Sequence, residues 1–357
     1  MTGLTAAPQL ARIYDAILDA RFDELPRLMP EACAQAPKEA CHLLQTVGLW
    51  WQVQMDPHNT SRDAAFQMRV DASIAAAEAW TVREPRRAEA WFYLGGAYGA
   101  RVQWRVLRGH QLAAARDGKR IKDSLEQALA LDPALQDAYF GVGLYHYYAA
   151  VAPTAAKVLR WLLFLPGGDR ATGLQEMERA RTAGLLVRSE AAYQLHLINL
   201  WYEKAPRRAI ELLAGLREGH DTNPHFLQAT AEIEDVYLHD AAASLRSWEA
   251  LLAAARAGRV THAALAETTA RLGGALQLDR LGRSAPAMDH LRVVIAAAPA
   301  APYGALALAH LQLADVLART GRRTDAASEY RLAISTAPPR DPLHVRDRAN
   351  TRLRALR

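Results

Sequence analysis

The chain has 357 residues, 51% hydrophobic and 23% charged, with a formal net charge of +5. This is ordinary globular composition and excludes a low-complexity or strongly charged disordered chain. Two cysteines, Cys33 and Cys41, exclude a disulfide scaffold and a four-thiolate zinc site, and no apolar run approaches the roughly 20 residues of a bilayer-spanning helix.

Alanine is abundant and strand-type alternation of β-branched residues is nearly absent, so the fold class is all-α. Residues 9–30 predict one or two short helices broken by Pro26 and Pro30. Residues 38–55 predict an amphipathic helix carrying Leu43, Leu44, Trp50 and Trp51. The two thiols, eight positions apart, fit buried or half-buried helical positions, with a single disulfide as the alternative. Residues 56–61 form a loop, and Ser61 or Asp63 is placed to cap a helix over 63–82. Residues 1–85 read as degenerate repeats or a capping segment. Residues 88–116 predict a long helix bent near Gly109, a turn at Gly118, and a helix over 119–131. After a helix over 135–150 comes an apolar insertion: Pro153 starts a short helix, Pro166-Gly167-Gly168 ends it, and Asp169 caps the next one. These central pieces form a segment over 86–184. From 185 to 340 the helices pair regularly: 189–203 with 206–218, 224–238 with 240–257, 261–278 with 284–297, and 302–319 with 323–336. A basic helix over 342–356, within the closing segment 341–357, has the character of a polar cap.

The spacing within these pairs repeats. After Gly321, Ala326, Tyr330 and Ala333 follow at steps of four and three, and Pro338 closes the unit. Small residues suit the points where helices cross closely, and large ones fill the gaps between. The same rhythm recurs at Ile121, Leu125 and Ala128, at Gly173, Met177 and Ala180, at Ala209, Leu213 and Leu216, and at Ala287, Leu291 and Val294. The spacing resembles the second helix of a tetratricopeptide repeat (TPR) hairpin, which must stack on neighbours to bury its apolar face. The chain is expected to form a TPR-like right-handed α-solenoid of about six or seven hairpins. In an undecorated TPR unit the first-helix aromatic precedes the second-helix small residue by 16, as Tyr193 does Ala209. Trp91 to Ile121 spans 30 and Tyr139 to Gly173 spans 34, so insertions are expected in both central hairpins, at 99–120 and 150–170.

The stretch 141–184 is similar to more than a generic repeat. Gly143, Pro153, Gly168, Asp169, Arg170 and Gly173-Leu174 match a pattern of a glycine-led first helix, an apolar segment with a proline, and Gly-Asp-Arg before a repeat helix. It resembles the TPR family of the inclusion-body clearance protein and its bacterial relatives. That resemblance implies an α-helical interaction protein and carries no catalytic residue.

The charge is uneven. Residues 101–122 hold seven basic residues against Asp117 alone, and residues 340–357 six arginines against two aspartates, so the rest of the chain is mildly acidic. Arg101, Arg105 and Arg108 lie on one helical face and suit an acidic partner, or else a solvated face whose stems cover apolar surface. Nucleic acid is disfavoured by the acidic remainder. Arg346, Arg348, Arg352, Arg354 and Arg357 suit a capping helix, or contact with a membrane or an acidic protein. Tyr145, His146, Tyr147, Tyr148 and Trp161 form an aromatic group near the insertion, which suits either core packing or apolar anchoring of a peptide. Val158–Leu165, with Lys157 and Arg160, suits a groove or a membrane surface, or packing inside the solenoid. His220-Asp221 and His239-Asp240 each resemble half of a phosphohydrolase motif without accompanying ligand spacing. The four asparagines, Asn59, Asn199, Asn223 and Asn350, do not form the clamp that grips a chaperone carboxylate.

These features point to a non-catalytic scaffold or adaptor, with no cofactor or metal, that takes a protein or peptide on its concave face. Arg101, Arg105 and Arg108 would meet acidic groups, and Tyr147, Tyr148 and Trp161 would supply apolar anchors. The alternatives are a subunit of an envelope or filament assembly, homo-oligomeric or not, and a metal-dependent hydrolase. The first residues lack the basic start and apolar core of a signal peptide, which makes the cytoplasm the default compartment and the envelope the alternative for a trimmed chain.

Overall fold

A computed structural model describes residues 3–151 and 167–356; apart from turns and one 3₁₀ turn at Phe22–Glu24, the described residues are helical. The chain divides into two compact units, Met1–Leu212 and Leu213–Arg357. The first holds α1 (Ala7–Leu18), α2 (Leu25–Cys33), α3 (Lys38–Met55), α4 (Asp63–Arg83), α5 (Ala88–Leu107), α6 (Gln111–Leu131), α7 (Ala138–Val151), α8 (Arg170–Ala183) and α9 (Arg188–Trp201). Helix α10 (Pro206–Gly219) contains the boundary. The second unit continues with α11 (Pro224–Val236), α12 (Ala241–Arg256), α13 (Ala263–Arg280), α14 (Ser284–Ala297), α15 (Ala305–Arg319), α16 (Arg323–Thr336) and α17 (Val345–Ala355).

The helices pair in sequence order, and the first helix of one pair also packs on the first helix of the next. Helix α5 touches α3 and α7 in the first unit, and α13 touches α11 and α15 in the second. This is the arrangement of a TPR-like α-solenoid, in which each hairpin completes its neighbour's core. The repeat positions behave accordingly: Ala326, Tyr330 and Ala333 are buried in the core of the second unit. Asp169, Asn223 and Asp240 cap α8, α11 and α12 by accepting the N–H of Thr172, His225 and Ala243.

Helices α7 and α8 cross at glycines. A methyl on Gly143 would lie 2.8 Å from the carbonyl oxygen of Gly173, and one on Gly173 would lie 2.6 Å from the amide nitrogen of Tyr147. The two backbones are in contact, which only glycine allows.

Several expectations need correction. Pro26 stands in the first turn of α2 and starts that helix, while Pro30 lies inside it. Neither Ser61 nor Asp63 caps α4; Arg62 occupies the cap position without a side-chain bond, and the Ser61 amide donates to Asn59. The long hairpin turns at Gly109, whose φ of +78° suits glycine, and Gly118 lies within α6. The expected insertion at 99–120 is therefore extra helix, with arms of 20 and 21 residues against 14 in α8 and α9. The two cysteines are not free thiols. Cys33 ends α2, Cys41 lies in the first turn of α3, and they form a disulfide with Cα atoms 6.0 Å apart. The second insertion, with Pro153, Lys157, Val158–Leu165, Arg160 and Trp161, lies outside the described residues.

In the second unit an aspartate near the end of each first helix pairs with an arginine of the next. Asp235 pairs with Arg280, Asp279 with Arg319, and Asp315 with Arg352 of the terminal helix α17. Tyr330 also donates to Asp315 at 2.7 Å. Arg346 turns back on the carbonyl oxygen of Ala337 at 2.9 Å, and Arg348 reaches that of Leu343 at 3.4 Å. These three arginines of the basic end therefore contact their own unit.

Candidate interaction surface

The long hairpin α5–α6 carries the predicted arginines, and each has a carboxylate partner. Arg101 makes two bonds to Asp117 of α6, at 2.8 and 2.9 Å, and one to Asp71 of α4 at 2.8 Å. Arg105 also pairs with Asp117 and donates to the carbonyl oxygen of Ala113. Arg108 holds Asp63 through two nitrogens at 2.8 and 2.9 Å, and the carbonyl oxygen of Pro57 at 2.7 Å. Asp117 is only 2% exposed, so its charge needs both guanidiniums. Tyr98 lies between Arg101 and Arg120, each 5.2 Å from its ring centre, and burial helps raise its pKa to about 12. The shared face read from the spacing exists, and it braces the arms of the hairpin against α4.

The aromatic group divides in the same way. Tyr147 is fully buried and donates to Glu203, while Arg170 grips the same carboxylate. That pairing holds the Glu203 carboxyl below its ordinary pKa, and burial pushes the Tyr147 hydroxyl up. Tyr148 is half-buried. Tyr202, just past α9, meets both rings nearly edge-on, at 6.0 Å from Tyr147 and 5.5 Å from Tyr148. Trp201 and Tyr202 are 48% and 45% exposed. Sequence reasoning passed over both. Adjacency alone gave no signal, because Trp50-Trp51 and Phe92-Tyr93 are also consecutive aromatics and both pairs are buried. Tyr145 and His146 also lie on α7, and His146 faces Glu176 of α8 at 2.7 Å.

A third group of polar residues fills the inner side of the first unit. Glu190 of α9 accepts from Tyr14 of α1 at 3.1 Å, Gln103 of α5 at 3.2 Å and Gln194 at 3.3 Å. Trp51 of α3 packs on Tyr193 of α9 with ring centres 5.0 Å apart, and Gln54 donates to the Tyr193 hydroxyl. Helices α3, α5 and α9 thus face one another across this interior. Burial raises the pKa of Glu190 above the ordinary carboxylate value despite the donors around it, the Trp51 indole among them.

The histidine-aspartate pairs sit at turns. Asp240 uses its carboxylate to cap α12, and His239 adopts a left-handed backbone with φ of +52°. Among the described residues no three His, Cys, Asp or Glu side chains come together as a metal site. Among the described residues no helix is long and apolar enough to cross a membrane.

No protein-family model matches the chain, and no curated protein does. Among solved structures it is similar to yeast Tom70, at 12% identity and a TM-score of 0.44, over 89% of this chain and 63% of that one. It is also similar to the APC/C hetero-tetramer Cut9–Hcn1, at 12% and 0.43, over 94% and 59%. A third is the human IFIT1 dimer with m7Gppp-AAAA, at 11% and 0.47, over 98% and 85%. The chain spans about three fifths of the length of the first two.

Proposed function

We propose that this protein is a non-catalytic scaffold that binds a protein or peptide segment, with Tyr148, Trp201 and Tyr202 as the apolar anchor. The observation that carries this reading is the half exposure of Trp201 and Tyr202, with Tyr202 set against the rings of Tyr147 and Tyr148. Exposed aromatics on a rigid base bury large area at low entropic cost and dominate many interfaces. Arg101, Arg105 and Arg108 enter as a brace for the long hairpin, since an acidic partner would compete with Asp63, Asp71 and Asp117 for them. Replacing all three by alanine would leave buried Asp117 with only Arg120, 4.0 Å away, as a counter-charge, so that variant reports on folding before binding.

The test is a crosslinking capture of partners by the intact chain and by Trp201→Ala/Tyr202→Ala. A folded double variant is expected to lose captured partner about tenfold or more, as for two hot-spot aromatics. The same partners in the same amounts would remove the aromatic patch as the anchor.

A further inference from the structure

The inner side of the first unit already holds a helix, and that helix is the chain's own α1. Leu10, Ile13, Tyr14 and Ile17, at i, i+3, i+4 and i+7, are at most 5% exposed, while Pro8, Arg12 and Asp15 face solvent. This is the pattern of an amphipathic helix laid in a groove. Ile17 rests against α3 at Gly48, and Tyr14 reaches across to Glu190 of α9. Ahead of the helix the chain is read by carboxylates. The Thr5 amide and hydroxyl donate to the two oxygens of Glu89 at 2.7 and 2.9 Å, and the Gly3 amide donates to Asp132 at 2.8 Å. Glu89 starts α5 and Asp132 follows α6, so the two acceptors stand at the two ends of one hairpin.

Seven of the twelve residues of α1 are buried, so the groove fits it closely. Chain 19–24 is its tether, passing through Ala20 at φ +55°. The Cys33–Cys41 bond lies beyond it and does not cross-link α1. The entropy of ordering twelve residues opposes the gain from burying them.

We propose that the inner face of the first unit is a receptor groove for an amphipathic helix of another protein, occupied in cis by residues 3–18. The partner that fits carries aliphatic residues at i, i+3 and i+7, tyrosine at i+4, and an extended N-terminal stretch that offers N–H and hydroxyl donors to Glu89 and Asp132. The chain's own segment sets the threshold a partner must exceed, because the occupied fraction of the groove is unavailable to it. This inference is independent of the aromatic patch.

The experiment uses the full chain and a fluorescent peptide with the sequence of residues 3–20. Ile13→Asp/Ile17→Asp in the full chain is expected to undock α1 and bind the peptide at least tenfold more tightly than the unaltered chain does. A peptide with the same two substitutions is expected not to bind. A variant that keeps its helical circular dichroism yet ignores the peptide would overturn the proposal. Hydrogen exchange of the unaltered chain supplies a readout that needs no variant. Amides of α1 are expected to exchange at least tenfold faster than those of α3 and α9, and equal protection would make α1 an integral core helix and end the proposal.

Discussion

Glu190 is a carboxylate that the fold buries with no cation paired to it among the described residues. Donors from α1, α5 and α9 meet it, yet desolvation still raises its pKa. A raised carboxyl pKa means that the native state binds the proton more readily than the unfolded chain does. Stability is therefore greatest below the ordinary carboxylate pKa and falls as pH rises through the window up to the raised value. Glu190→Gln removes the charge and keeps the shape. It is expected to raise the thermal midpoint at pH 7 by a few degrees, about 1 kcal/mol, with little change near pH 3, where Glu190 is already neutral. Circular dichroism melts of both proteins across pH check this, and parallel melts would show that the charge costs nothing. None of this was legible in the sequence, because Tyr14 and Glu190 lie 176 positions apart. The arginine face was legible from its spacing, but of its partners only Asp117 stood nearby in the chain. Asp63 and Asp71 required knowledge that α4 packs on α5.

Element boundaries were easier, because apolar rhythm, prolines and capping residues are local signals. The helix over 38–55 and the paired helices after 188 were readable for that reason. The long hairpin was misread because a glycine inside a helix costs only about 1 kcal/mol relative to alanine, which a long helix absorbs. Gly118 is such a case, whereas Gly109 is needed at the turn. The glycines of α7 and α8 act differently, since they set the distance between two helices. Gly143→Ala must push Met177 and the Gly173 carbonyl aside, and a loss of about 1–3 kcal/mol is expected, as for overpacked cores. Urea unfolding measures it, and an unchanged midpoint would mean that the crossing relaxes freely.

At the scale of the molecule, the second unit is built mainly by contacts between each hairpin and the next. Each aspartate of the Asp235–Arg280, Asp279–Arg319 and Asp315–Arg352 series pairs with an arginine of the next first helix, and Asp315 also accepts from Tyr330 of its own hairpin. Exposed pairs of this kind contribute about 0–1 kcal/mol each, so they add to packing without replacing it. Coupling of this range makes a stack fray from an end. Hydrogen exchange in the second unit is expected to be fastest in α17 and to slow through α15 to α13; uniform protection would indicate one cooperative block. The repeat itself was legible because the same small-large rhythm recurs along the chain. The occupancy of the inner face by α1 was not, since nothing local distinguishes a helix that docks on its own body from one that starts a repeat.

The link between Cys33 and Cys41 has a consequence outside the fold. Disulfides persist where thiols are not continually reduced, and glutathione keeps most of them open in the cytosol. The same polypeptide is therefore two molecules, depending on where it is made. In an oxidising compartment the end of α2 is covalently clipped to the start of α3. In a reducing one, packing alone holds α2 there, so the chain carries a chemical record of its surroundings in its first forty-one residues.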